Sequence, residues 1–154
     1  ALDEYVAEQG EFLTNKIKNM IVENPDIINK QKKDIIYVIS PFKNVAYQLS
    51  KELNKIEFTR YDKKGKPTNI GTVHTFQGKE APIVFFVLGA DKKCIGAANW
   101  AVGTDNPNIM NVAVTRAKEE FYIIGDKEMY LSLNSDVIND TCKIIEKHNM
   151  NTSL

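Results

Sequence analysis

Two segments near the middle of the chain carry the residue types that phosphate and nucleic-acid chemistry requires. One reads Gly71-Thr-Val-His-Thr-Phe-Gln-Gly-Lys-Glu80, the other Asn108-Ile-Met-Asn-Val-Ala-Val-Thr-Arg-Ala-Lys118. Each sets a run of apolar residues against polar groups at its end. Polar groups so placed stand at the rim of a sheet, where α/β proteins bind their ligands. In the second segment Thr115 and Arg116 are the first strongly polar groups after the apolar stretch 109–114. A guanidinium is a permanent planar cation matched to phosphate oxygens; the plainer reading of such an arginine is a cap on the carbonyls of its own helix. In the first segment Gly78 lets backbone approach a ligand closely, with Gln77 and Glu80 beside it. The plainer reading of Glu80 is a carboxylate capping a helix or paired with a nearby lysine.

Thr72, His74 and Thr75 precede that glycine on what reads as one strand, residues 70–75. Alternation along a strand sends His74 to the same side as Thr72. Ser40-Pro41 closes a short β-branched run at 35–39. From there a serine hydroxyl and the amides of a following helix can hold a phosphate.

The elements that position these groups follow from periodicity. Leu13, Ile17, Met20 and Ile21 recur at helical spacing, so an amphipathic helix is expected over about 3–23 within an N-terminal segment 1–24. Asn24-Pro25 stops it. Residues 35–39 read as a buried parallel strand, and Val45, Leu49 and Leu53 mark the next helix. A short strand is expected at 57–61, an exposed turn at 62–67 and the most buried strand at 83–88. A long polar loop with Trp100 spans 89–105. A helix then runs to about Lys118, a strand covers 121–124, helices cover 128–133 and 136–147, and the tail 149–154 frays. Strands alternating with helices imply a mostly parallel sheet covered on both faces.

Length and composition bound the reading. The 154 residues make about one domain, 1–154, and the apolar share of 43% is enough to close one core. Basic and acidic residues balance at 20 each, which argues against a large phosphate-binding surface but not against a local basic strip. Cys94 and Cys142 match no metal spacing and read as free thiols of a reducing compartment. No leader and no long apolar run is visible, so a cytoplasmic protein with no membrane partner is expected. The chain opens on Ala1-Leu2, the look of a fragment of a larger protein.

The first segment resembles motif V, and the second motif VI, of superfamily 1 helicases in their Upf1-like branch. Residues 36–48 are similar to motif IV. That resemblance implies a RecA-like three-layer α/β fold, the C-terminal one of two motor domains, with ATP hydrolysed between them. It implies an arginine finger at Arg116, expected at the carboxyl rim of the sheet. It places Gln77, Gly78 and Glu80 by the nucleotide, and Ser40, Thr72, His74 and Thr75 on a single strand of DNA or RNA. Many Upf1-like relatives carry Asp where this chain has His74. No Gly-x-x-x-x-Gly-Lys-[Ser/Thr] phosphate loop is present: Gly65-Lys66 runs into Pro67 and Gly78-Lys79 into Glu80. ATP and Mg²⁺ are therefore expected mainly on an N-terminal RecA-like domain of the same protein, and this chain alone is expected to be inactive. Two rivals remain: a non-catalytic RecA-like nucleic-acid-binding or scaffold module, and an unrelated α/β enzyme. The second lacks a nucleophile–base pair.

Overall fold

The computed structural model describes residues 5–89, 108–125 and 152–153. Five strands form one sheet in the order β2-β1-β3-β4-β5, and every neighbouring pair is parallel. They are β1 (Ile36–Ile39), β2 (Ile70–Gly71), β3 (Ala81–Val87), β4 (Ala117–Ile124) and β5 (Thr152–Ser153). The helices are α1 (Ala7–Glu23), α2 (Lys43–Asn54) and α3 (Asn108–Thr115). This is the parallel α/β sheet that the alternation of strand and helix patterns implied, in the RecA-like arrangement that the resemblance implied.

Near-continuous apolar runs make the central strands. All four residues of β1 are buried, as are Val84 to Val87 of β3, the pattern of a parallel sheet with both faces covered. Phe76, Phe85, Phe86 and Phe121 are fully enclosed, with Phe76 against Tyr37 (ring centroids 4.5 Å) and Phe86 against Phe121 (6.1 Å). From the helices, Leu13 and Ile17 of α1 and Val45, Leu49 and Leu53 of α2 fill the same core at spacings of four residues. Pro25 and Asn24 end α1: the Asn24 side chain accepts a hydrogen bond from the Asp26 amide and opens a 3₁₀ turn, Pro25–Ile28.

The structure corrects several boundaries. The strand expected at 70–75 is only two residues long, and Val73–Phe76 is a 3₁₀ turn. The cause is tertiary. Thr75 folds back over Gly71 so closely that a β-carbon there would collide with its hydroxyl, and its amide bonds Thr72 O at 3.0 Å. Strand alternation therefore does not set the direction of His74. No strand forms at 57–61 either. Backbone groups there are met by side chains instead of a ladder. Lys30 donates to the carbonyls of Glu57, Phe58 and Thr59, and Asn69 bonds Phe58 O and Arg60 N. Helix α3 stops at Thr115, and β4 begins at once, four residues before Phe121. In the tail, Thr152–Ser153 pairs with β4 where fraying was expected. The helices expected at 128–133 and 136–147 and the Trp100 loop lie outside the described residues. Among those residues, no helix is long and apolar enough to cross a membrane.

Candidate functional site

A parallel sheet has two distinct rims, and the residues singled out above divide between them. Ser40 follows β1, and Thr72, His74 and Thr75 follow β2, so all four lie at the carboxyl rim. Gln77, Gly78 and Glu80 precede β3, and Arg116 precedes β4, so these lie at the amino rim. The expectation of Arg116 at the carboxyl rim is thus corrected. The chain leaves α3 and enters β4 through Arg116, and a residue entering a parallel strand stands at its amino end. The seven residues of β3 separate the rims by roughly 20 Å at about 3.3 Å per residue.

At the amino rim, the starts of β3 and β4 are locked side by side: Ala81 pairs with Ala117, and the Ala81 amide donates to Arg116 O at 3.0 Å. A tight turn precedes β3, with the Lys79 amide on Phe76 O at 2.9 Å and Gly78 at φ +74°. No atom lies within 4 Å of where a Gly78 β-carbon would be, so the glycine serves backbone conformation there. Gln77, Gly78, Lys79 and Glu80 are all exposed.

The Arg116 side chain reaches across this turn. Its Nη1 donates to Phe76 O at 3.4 Å and Lys79 O at 3.3 Å, and its Nη2 to Thr115 Oγ1 at 3.2 Å. All three are long for guanidinium bonds to oxygen. Its Nε is buried and has no acceptor. Among the described residues no carboxylate lies within ion-pair distance of it. A half-buried guanidinium with an orphaned donor and no counter-ion is electrostatically open to an incoming anion. Lys79, a second cation on the same turn, was missed in the sequence although it sits inside the first segment. Its charge also acts on Asp34, two residues before β1. Burial pushes the Asp34 carboxyl above the usual range, against the opposing pull of Arg60, Lys79 and Lys30.

At the carboxyl rim the residues meet less uniformly. Ser40 is only 1% exposed, and its Oγ accepts from the Phe42 amide at 3.3 Å; its hydroxyl shapes the entry to α2 and faces inward. Thr72 and Thr75 are half-buried and His74 is exposed. The three line a cavity of about 560 Å³ whose other wall comes from α2 and the segment at 66–71. Sequence reasoning missed the α2 contribution. Its signal was the lysines and tyrosine on the polar side of an amphipathic helix. Among the described residues, no three His, Cys, Asp or Glu side chains gather as a metal-holding group.

A sheet of this topology with polar and cationic groups at both rims defines a class, and comparison with known proteins gives it a family. Residues 6–128, most of the chain, match the AAA domain family. The chain belongs to that family. Among curated proteins it is similar to "Helicase sen1" of Schizosaccharomyces pombe, at 31% identity over 127 residues. That match covers 80% of this chain and 7% of the relative, so the chain spans a small part of that protein's length.

Proposed function

We propose that the chain is the second, RecA-like motor domain of an ATP-dependent superfamily 1 helicase of the Upf1-like branch. Its segments at 36–48, 71–80 and 108–118 would be that family's motifs IV, V and VI. Its task is to place Arg116 against the phosphates of a nucleotide whose Mg²⁺-bound triphosphate is held mainly by an N-terminal RecA-like domain of the same protein. ATP supplies the phosphoanhydride whose cleavage drives movement. Arg116 stabilises negative charge on the transferred group, a role whose removal costs about 10³–10⁵ in rate. Gln77 and Glu80 orient around the nucleotide, and Gly78 keeps the backbone clear for its approach. Thr72, His74 and Thr75 contact a single strand of DNA or RNA at the other rim, while Ser40 supports them by shaping the turn into α2.

The observation that carries this reading is the orphaned Nε of Arg116, on a guanidinium without a carboxylate partner among the described residues. The similarity to a protein named a helicase supports the same class. The residues fit one side of a nucleotide: two cations and a glycine at positive φ, with no phosphate loop in the chain. Two assays on the purified chain test the proposal. ATP turnover should be absent. Binding to a single-stranded oligonucleotide should weaken about tenfold between 50 and 200 mM salt, as two or three phosphate contacts imply. Turnover by the pure chain, or binding indifferent to salt, would contradict it.

A further inference from the structure

We propose that the cavity at the carboxyl rim takes one nucleotide of the single strand, with its base stacked on Tyr47 of α2 and its phosphates neutralised by Lys43 and Lys66. This rests on the reading that the carboxyl rim meets the strand, and adds a base-holding wall to the hydroxyls and imidazole already placed there.

Tyr47 is 56% exposed, one of four large apolar side chains left in solvent among the described residues, and it lines the cavity. The Lys51 ammonium, which does not line the cavity, sits 4.4 Å from the ring centroid. A cation over an aromatic face attracts it electrostatically, so Lys51 favours this placement of the ring. Lys43 and Lys66 lie on the same wall, and no carboxylate lines the space among the described residues. The charge of the lining is therefore positive, which selects an anion. Thr72, His74 and Thr75 form the facing wall and offer hydroxyl and imidazole donors to phosphate or sugar oxygens. The volume, about 560 Å³, falls within the range of about 300–1,000 Å³ typical of small-ligand pockets. An aromatic platform beside cations and hydroxyls is the combination that binds single strands with little sequence preference, because every base has a π-face.

The test is binding of fluorescein-labelled (dT)₁₂ and (rU)₁₂ to the chain, followed by anisotropy, with Tyr47 varied. Tyr47→Ala should weaken binding roughly 5- to 160-fold, the loss of one stacked base, and Tyr47→Phe should stay within about twofold of the parent. In a Trp100→Phe background, Tyr47→Trp should show fluorescence quenched on addition of oligonucleotide, a signature that mere structural damage does not produce. If Tyr47→Ala binds like the parent while Thr72→Val binds more weakly, the stacking proposal fails and the strand-facing rim survives. No measurable binding by the parent overturns both. A mononucleotide arm separates the sources: dTMP or UMP bound as tightly as the oligomer would make this a free-nucleotide pocket and overturn the assignment to a strand.

Discussion

Arg60 and Arg116 are the two arginines of the chain, and both lie toward the amino ends of strands, yet folding has treated them in opposite ways. Arg60 is built into the structure. Its Nη1 donates to Lys32 O at 2.6 Å, its Nη2 to Asn29 O at 2.8 Å, and its Nε lies 3.2 Å from Asp34 Oδ1. That last contact is a charge pair rather than an aligned hydrogen bond, since neither atom finds a hydrogen-bond partner. Both side chains are largely buried, so solvent screens them little. Arg116 has the same donors and less closure: its three bonds are 3.2–3.4 Å long, and its Nε, unsatisfied like that of Arg60, has no carboxylate beside it among the described residues. One cation ties the segment before β1 to the turn after Phe58. The other holds its charge in reserve at a rim whose nearby glycine and exposed polar residues leave room for a ligand. Identical side chains are thus closed into the scaffold or left open at a rim according to what the backbone around them offers.

Substituting the two arginines in parallel gives the sharpest break. Arg60→Ala leaves the Asp34 carboxylate and two carbonyls without their partner and should lower unfolding stability by about 2–4 kcal/mol, read from urea titration. Arg116→Ala removes only long bonds and an unsatisfied donor, and should cost less than about 1 kcal/mol. Equal costs would erase the distinction. Gly78→Ala forces a side chain into φ +74° without a steric clash. It should cost about 1 kcal/mol and shift the turn that carries the Lys79 carbonyl. The smallest effect concerns pH. The folded-state pKa of Asp34 is raised, chiefly by burial, so the folded chain holds that proton more tightly than the unfolded chain. Stability should therefore fall as pH rises from about 3.9, the unfolded value, through the folded one. Asp34→Asn should remove that part of the slope in a series of melting curves; an unchanged slope would mean that Asp34 is not its source.

Much of this was readable in advance, and the misses have physical causes. The apolar runs of β1 and β3 and the spacing of Val45, Leu49 and Leu53 declared themselves because a buried parallel strand and an amphipathic helix leave local patterns. The polar groups at 71–80 and at 115–116 do stand at sheet rims. Which rim was also derivable, because Arg116 follows a helix and comes before the apolar run 121–124, and so stands on the amino side of that strand. Reading the arginine as a helix terminus hid that. The turn at Val73–Phe76 was not readable, because it depends on Thr75 packing over Gly71 in three dimensions. Nor was the loss of a strand at 57–61, since Lys30 supplies the hydrogen bonds from 27 residues away. Ser40 looked like a phosphate ligand from its place after a strand; its burial and the hydrogen bond its Oγ accepts from the Phe42 amide depend on the turn into α2 and were not readable.

The central claim is that Arg116 is the cation that folding leaves available to a nucleotide. Single-turnover ATP hydrolysis by the full-length protein carrying Arg116→Ala, beside Arg60→Ala, tests it most directly. The account predicts a fall of about 10³–10⁵ in rate for Arg116→Ala with ATP binding nearly unchanged, and hydrolysis by folded Arg60→Ala close to the parent. Normal hydrolysis by Arg116→Ala would contradict it.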